Sequence, residues 1–288
     1  MTRRLVIFAL AAMPLWCQQL AVPNKSGSVK FAVIGDNGNG GKEEYEVAQR
    51  MAECYKVFPF EFVTMLGDNM YGGENPKDFM NKFETPYKAL LDAGVKFYAT
   101  LGNHDDPEQR NYKSFNMKGD RYYTFSPKRG VRFFSLDSNY IDKTQLQWIE
   151  KELANSGSDW KIVFFHHPPY SSGETHGSSM SIRAVLEPLF VKYNVSVVLS
   201  GHEHFYERVK PQKGIQYFIS GAGGQLRKGN INQDELLDKG FDQDRSFMLM
   251  EIDGDDLYFQ AISRTSTTVD SGILHRTPVK GAAAASGN

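Results

Sequence analysis

The amino-acid sequence predicts an α/β fold, in which helices cover a β-sheet. Three observations support this fold class. From Val29 onward, short runs of β-branched and aromatic residues alternate with stretches whose apolar residues recur at helical spacing. Nine of the short runs resemble strands, which suggests more than one simple sheet. The 288 residues are 41% hydrophobic and 13% aromatic, enough to bury one large core.

The predicted strands are short segments rich in Val, Ile, Phe and Leu. Asp253, Gly254 and Asp255 separate the last two strands and predict a tight hairpin turn. The nine predicted strands span residues 29–34, 62–66, 96–101, 131–136, 161–165, 195–199, 215–220, 247–252 and 257–263.

Three helices are predicted between these strands, because apolar residues recur there at intervals of three and four. We expect these residues to face the core. They are Val47, Ala48, Met51, Ala52 and Tyr55 in the first segment, Leu146, Ile149 and Leu153 in the second, and Ala184, Leu186 and Phe190 in the third.

Residues 1–22 are interpreted as a signal peptide, which predicts a secreted or periplasmic protein. Arg3 and Arg4 precede an apolar run, residues 5–16, that is too short to span a bilayer. A retained anchor or a disordered start is the alternative, because no small-x-small cleavage site follows Trp16. Lipidation at Cys17 is disfavoured by the bulk of Trp16. After cleavage we expect no stable membrane span.

The rest of the chain is predicted to be one domain, residues 23–280, because no repeat and no long linker interrupts it. Residues 281–288 are small and polar and are expected to fray. Cys54 lies in a helical pattern and is expected to be a buried structural thiol. The net charge of −1, with dispersed lysines and arginines, argues against a nucleic-acid partner. The sequence leaves the oligomeric state open.

Five of the predicted strands end in residue types that bind metals. Open α/β sheets bind ligands at the carboxyl ends of their strands, and glycines beside four of these junctions let short side chains converge. Of the seven histidines, only His275 lies away from these junctions. The residues at the strand ends are Asp36; Asp68 and Tyr71; Asn103 and His104; His166 and His167; and His202 and His204.

Taken singly, several of these residues have a simpler interpretation. Asp36 alone would more often cap the next helix than bind a metal. His202 and His204, two residues apart, could be a satisfied core pair. Tyr71 could be an ordinary loop aromatic. The occurrence of all five junctions in one chain favours a metal site.

The five junctions also form motifs, namely GDNG at Gly35, GDNMY at Gly67, GNHD at Gly102, VFFH ending at His166 and GHEH at Gly201. In this order and spacing they resemble the calcineurin-like metallophosphoesterases, and within them the purple acid phosphatases of the tartrate-resistant type. The resemblance extends over residues 29–263. It implies a four-layer α/β/β/α sandwich of two mixed β-sheets flanked by helices, with the metals at the strand ends.

The resemblance implies two metal ions bridged by Asp68. One carboxylate has two oxygens, so it can hold two cations about 3.5–4 Å apart, close enough to share an attacking hydroxide. His104 is not a ligand in this pattern and would face the substrate. The implied ligands are Asp36, Asp68, Tyr71 and His204 for one metal and Asp68, Asn103, His166 and His202 for the other.

Tyr71 indicates iron at the first site. A phenol with a usual pKa near 10 ionises as a ligand only beside a strongly acidic ion such as ferric iron. The second site would hold a divalent ion of iron, zinc or manganese.

Two further histidines have open roles. Pro168 and Pro169 force an extended backbone at His167, which sends adjacent side chains in different directions. Only one of His166 and His167 can therefore easily be a ligand. The family spacing selects His166, which leaves His167 a supporting or packing residue. His176 resembles a histidine at the substrate rim of purple acid phosphatases, although a plain solvent-exposed histidine fits its polar loop nearly as well.

The implied activity is hydrolysis of small phosphate monoesters by a metal-activated hydroxide. His104, with or without His176, would stabilise the developing charge or protonate the leaving group. A phosphodiesterase or nucleotidase could use the same centre. A binding protein that has lost its chemistry is a third possibility, which the complete set of ligand residues disfavours.

Overall fold

The computed structural model describes residues 20–157 and 159–276. Most of the predicted signal peptide and the whole predicted tail lie outside the described residues. Within the described ranges, none of the helices is both long and apolar enough to cross a membrane.

Strands dominate the described part of the chain. The strands are β1 (Val29–Ile34), β2 (Phe62–Met65), β3 (Lys96–Ala99), β4 (Tyr123–Lys128), β5 (Val131–Ser135), β6 (Trp160–Phe164), β7 (Val197–Ser200), β8 (Tyr206–Gln212), β9 (Ile215–Ser220), β10 (Leu237–Phe241), β11 (Ser246–Asp253), β12 (Asp256–Ser263) and β13 (Thr268–His275). The α-helices are α1 (Lys42–Tyr55), α2 (Pro76–Phe79), α3 (Lys88–Asp92), α4 (Lys143–Ala154) and α5 (Met180–Lys192), with a π-helical turn at Met80–Glu84 and 3₁₀ turns at Pro107–Asn111 and Lys113–Phe115.

The strands form two mixed sheets. The first has the order β13-β12-β11-β1-β2-β3, with β1, β2 and β3 parallel and the other three strands antiparallel to their neighbours. The second has the order β10-β8-β9-β7-β6-β5-β4, in which β5, β6, β7 and β9 are parallel and β4, β8 and β10 pair antiparallel. The parallel strands of the first sheet therefore extend to its edge strand β3, whereas those of the second sheet have antiparallel strands on both sides.

The central strands are buried on both faces, as β1 illustrates. Phe31 points into the core between the two sheets, where its ring lies 5.0 Å from that of Phe133 in the second sheet. Its neighbour Ala32 points the other way and packs with Val47 of α1. Successive residues of a strand face opposite sides, so each apolar run fills two cores at once.

A third core lies on the outer face of the second sheet. Val163 and Val198 of that sheet pack there against Ile149 of α4 and Phe190 of α5. The layers therefore follow the order helix, sheet, sheet, helix, which confirms the four-layer α/β/β/α sandwich that the resemblance implied.

All nine predicted strands are present, with bounds that differ by two residues at most. Gly254 and Asp255 form the predicted tight turn, since Asp253 pairs directly with Asp256 and Gly254 has a φ of 60°. Four strands were not predicted: β4, β8, β10 and β13. Two of the predicted helices bury their predicted faces, but in α5 Ala184 is exposed and Ile182 is buried in its place. Cys54 is buried, as predicted.

Candidate metal centre

The predicted metal ligands follow the carboxyl ends of parallel strands in the two sheets. Asp36, Asp68 and Asn103 come after β1, β2 and β3, whereas His166 and His202 come after β6 and β7. Parallel strands bring their carboxyl ends to one edge of a sheet, and in this sandwich the two edges meet. The backbone N–H of His202 donates to Oδ2 of Asp36 at 2.9 Å, which joins the two sheets directly.

The first cluster of side chains surrounds the hydroxyl oxygen of Tyr71. This oxygen lies 2.8 Å from Oδ2 of Asp68 and 3.2 Å from Oδ1 of Asp36. It also lies 3.2 Å from Nε2 of His204, which is itself 3.4 Å from Oδ1 of Asp36. Atoms that share one metal ion at about 2 Å lie roughly 3 Å apart, so this spacing suits four ligands of one ion.

The second cluster surrounds Nε2 of His166. This nitrogen lies 3.0 Å from Oδ1 of Asn103 and 3.1 Å from Nδ1 of His202. Oδ1 of Asp68 lies 3.4 Å away from it. The other ring nitrogen of His166 is 2.9 Å from the carbonyl oxygen of Leu66 and donates to it, which leaves Nε2 with its lone pair free for a metal.

Asp68 belongs to both clusters through different oxygens. Its Oδ2 meets the Tyr71 hydroxyl in the first cluster, and its Oδ1 meets His166 in the second. The structure therefore brings together all seven predicted ligands, in the two groups of four that the resemblance implied.

The donor atoms of both clusters suit metal ions. Ionised carboxylates and the side-chain oxygen of Asn103 only accept hydrogen bonds. A neutral histidine that points its unprotonated ring nitrogen toward them offers a further lone pair. Such a set has too few protons to satisfy its lone pairs internally. Cations would satisfy them, and the mixture of oxygen and nitrogen donors is typical of iron, zinc and manganese.

Burial and crowding shift the pKa values of these groups against their charged forms. Burial, reinforced by the charge of Asp68, raises the pKa of Asp36 well above its usual range. Burial, followed by the neighbouring His166, lowers the pKa of His202 to about 2. Burial also lowers the pKa of His204 to about 4 and raises that of the Tyr71 phenol. A cation would ease the repulsion between carboxylates and favour ionisation of the phenol.

Three of the predicted ligands adopt the left-handed backbone conformation, which is rare for residues other than glycine. The φ angles are 53° at Asp36, 49° at Asp68 and 71° at His202. Such strain collects at functional sites, where the surrounding structure enforces it. Gly201 permits the close approach of the two sheets, because a Cβ there would lie 2.5 Å from Oδ2 of Asp36.

The two predicted catalytic histidines flank the centre on different sides. The exposed ring of His104 lies 4.9 Å from the ring of Tyr71, and its backbone N–H donates to Oδ1 of Asp68 at 2.9 Å. The exposed ring of His176 lies 4.2 Å from that of His202. His176 is thus attached to the second cluster rather than isolated in solvent.

His167 lies directly beside the second cluster. Its ring is 4.5 Å from that of His202, and one of its ring nitrogens lies within 4.8 Å of ligand atoms of His166 and His202. Its Nδ1 is 2.9 Å from Oγ of Ser138. It therefore supports the cluster while bonded to the loop after β5.

Two residues that shape the centre were not identified from the sequence. Asp105, the last residue of the GNHD motif, accepts the backbone N–H groups of Gly102 and Met70 at 2.7 and 3.0 Å, which connects the loops after β3 and β2. Lys82, in the π-helical turn, donates to the carbonyl oxygen of Tyr71 at 2.7 Å. The motif offered a signal for Asp105, whereas nothing in the sequence indicated Lys82.

Comparison with known proteins agrees with this geometry. Residues 29–206 match the sequence model of a family described as calcineurin-like phosphoesterase. Tartrate-resistant acid phosphatase type 5 of Rattus norvegicus is 26% identical over 240 residues, which cover 69% of this chain and 73% of the relative.

Solved structures share the fold. The protein GAP50, described as the anchor in the inner membrane complex of Plasmodium, superposes with a TM-score of 0.76 at 21% identity, covering 88% of this chain and 90% of that one. The purple acid phosphatase PPD1 from yellow lupin (Lupinus luteus) gives 0.74 at 18% identity, covering 88% and 55%. The family match spans more than half of the chain, so the chain belongs to the calcineurin-like phosphoesterase family and is similar within it to the tartrate-resistant and purple acid phosphatases.

Proposed function

We propose that this chain is an acid phosphatase that hydrolyses small phosphate monoesters at a centre of two metal ions. The observation that carries the proposal is the position of Asp68, whose two carboxylate oxygens belong to two separate clusters of ligand atoms. A shared carboxylate holds two cations close enough to act on one phosphoryl group. The acid phosphatase among the relatives supports the choice of substrate class.

The first ion would be iron and the second a divalent ion of iron, zinc or manganese. Tyr71 supports iron, because a buried phenol with a raised pKa ionises only beside a strongly acidic cation. When bound, the two cations supply the positive charge that polarises the phosphoryl oxygens and lowers the pKa of the attacking water. The proposed ligands are Asp36, Asp68, Tyr71 and His204 for the first ion and Asp68, Asn103, His166 and His202 for the second.

The chain's own catalytic groups would be the two exposed histidines. His104 is fixed by its backbone N–H to the bridging Asp68, so its ring extends from beside Tyr71 to where a substrate can approach. There an imidazolium can stabilise charge on the phosphoryl oxygens or give a proton to the leaving oxygen. His176 would contact the same substrate from the side of the second cluster.

The substrate class is tested by comparing turnover of three compounds by the metal-loaded full chain: p-nitrophenyl phosphate, bis(p-nitrophenyl) phosphate and AMP. We expect the monoester to be hydrolysed fastest, at acidic pH, and chelation of the metals to abolish the reaction. A preference for the diester or for AMP would favour a phosphodiesterase or a nucleotidase built on the same centre. No turnover of any of them by a chain with two bound metals would favour a binding protein.

Residues 1–22 are proposed to be a signal peptide that directs the protein to the periplasm or the exterior, with residues 23–280 as the catalytic domain and residues 281–288 as a flexible tail. The support is the pattern of Arg3 and Arg4 before an apolar run. Determination of the amino terminus of the exported protein would test this. An intact Met1 on protein retained in the cytoplasm would contradict it.

A further inference from the structure

Glu203 is a buried carboxylate in the GHEH motif, between the two predicted histidine ligands. Its side chain is fully buried. The carboxylate is bonded to residues 171–179, the segment that carries His176 and is here named the His176 loop. Oε1 of Glu203 accepts the backbone N–H of Gly177, the residue directly after His176, at 2.6 Å. Glu203 thus holds the backbone immediately after His176.

The His176 loop packs tightly against the carboxylate of Glu203. A Cβ at Gly173 would lie 2.2 Å from Oε1 of Glu203, so only glycine fits there. On the other side, Nη1 of Arg227 lies 3.7 Å from Oε2, and the backbone N–H of Arg227 donates to the carbonyl oxygen of His204 at 3.0 Å. A buried carboxylate needs such a positive partner, because its desolvation is otherwise costly.

The start of the His176 loop is bound in the same manner by a second buried carboxylate. Glu207 accepts the backbone N–H of Ser172 at 3.0 Å. Further along, the backbone N–H of Glu174 donates to the carbonyl oxygen of Asn230 at 2.9 Å. The loop is therefore anchored by its backbone at several points, and Glu203 is the anchor nearest to His176.

The ring of His176 depends on these backbone anchors for its position. It is exposed, and among the described residues no hydrogen bond holds the ring itself. Its contact with the centre is the 4.2 Å approach to the ring of His202. A shift of the loop backbone would move the imidazole away from the second cluster, and misplacement by about 1 Å can cost about 100-fold in rate.

We propose that Glu203, neutralised by Arg227, is a positioning residue that fixes His176 against the second metal cluster. The role of His176 rests on the proposed phosphatase function, but the holding of the loop does not. The two parts can therefore be tested separately.

Amide hydrogen exchange of the purified full-length chain tests whether Glu203 holds the loop. In Glu203→Ala we expect the amide of Gly177 to exchange at least about tenfold faster than in the wild type. Glu203→Gln, which keeps an acceptor oxygen, should restore much of the protection. Arg227→Ala, at a half-buried site where folding is less at risk, should also accelerate exchange of the Gly177 amide.

Glu251 provides a matched control, because it too is a buried carboxylate that accepts backbone N–H groups, those of Asn24 and Lys25. It lies in β11 opposite Lys30, near the amino-terminal end of β1 and away from the strand ends that carry the two clusters. Glu251→Ala should lower stability without changing exchange in the His176 loop. Unchanged exchange of Gly177 in both Glu203→Ala and Arg227→Ala would overturn the proposal.

Turnover of p-nitrophenyl phosphate by the metal-loaded chain tests the coupling to His176. We expect Glu203→Ala and His176→Ala each to lower kcat/KM by about 10-fold to 100-fold, and the double variant to lie within about twofold of the poorer single variant. Fully multiplicative effects would show that Glu203 does not act through His176. If the wild type has no phosphatase activity, the proposed function fails and hydrogen exchange alone decides the role of Glu203.

Discussion

The hydroxyl oxygen of Tyr71 lies 2.8 Å from Oδ2 of Asp68, and this contact joins the residue that marks the first cluster to the residue shared by both. A change at Tyr71 therefore alters one cluster, whereas a change at Asp68 alters two. The two substitutions should differ in metal content, colour and activity.

Asp68→Asn should lower turnover of p-nitrophenyl phosphate by more than about 100-fold and should lower the content of both metals. The amide keeps the volume of the side chain but lacks the charge that two cations share, so the fold should persist. Asp253→Asn, at a partly exposed carboxylate outside both clusters, is the control. Near wild-type turnover with two bound metals would show that Asp68 is not the bridge.

Tyr71→Phe should abolish visible absorption of the iron-loaded protein while a substantial fraction of activity remains. A phenolate donates charge into ferric iron and produces a broad visible band, and phenylalanine removes only the ligand oxygen. Tyr98→Phe is the matched control, because Tyr98 stacks on Phe125 at 3.8 Å, outside both clusters. A colourless wild type, loaded with iron under oxidising conditions, would rule out the iron-tyrosine assignment.

His104→Ala should lower turnover by about two to four orders of magnitude with both metals retained, the range for loss of a positioned acid or charge stabiliser. His176→Ala should have a smaller effect. His275→Ala should have none, since His275 is exposed and pairs with Asp256 outside both clusters. Loss of metal from His104→Ala would make His104 a ligand and contradict its assigned role.

Glu44 should make the stability of the protein fall as the pH rises. Burial raises its pKa from 4.5 to about 9, so the folded chain keeps a proton that the unfolded chain releases in this window. Its stabilisation is complete below pH 4.5 and is lost as the pH approaches 9. Glu44→Gln cannot ionise, so its melting temperature should exceed that of the wild type near pH 9 but not near pH 5.

Glu43→Gln, on the same turn of α1, is the control for this measurement and should follow the wild-type curve. Parallel melting curves of Glu44→Gln and the wild type across this pH range would contradict the prediction.

The central strands were predictable because each is buried on both faces and therefore appears as an apolar run. Residues 29–34 and 215–220 were predicted with the bounds that β1 and β9 have. Strands β8, β10 and β13 contain charged residues, and β4 contains Pro127 and forms an edge of its sheet. Such strands depend on pairing with neighbours and lack an apolar run of their own.

The two clusters could be anticipated because the residue types of the predicted ligands follow strand ends in a recognisable order of motifs. The left-handed backbone of Asp36, Asp68 and His202 could not be anticipated, since it results from packing between the two sheets. Lys82 and Glu203 act through contacts with residues 11 and 26 positions away in the sequence, and no local pattern records such contacts.

Metal quantification of the purified full-length chain tests the central claim most directly, when turnover of p-nitrophenyl phosphate is measured on the same samples. Because Asp68 serves both clusters, we expect two metal ions per chain, at least one of them iron, and activity that disappears on chelation and returns with the metals. Full phosphatase activity in a chain that holds fewer than one metal ion would contradict the account.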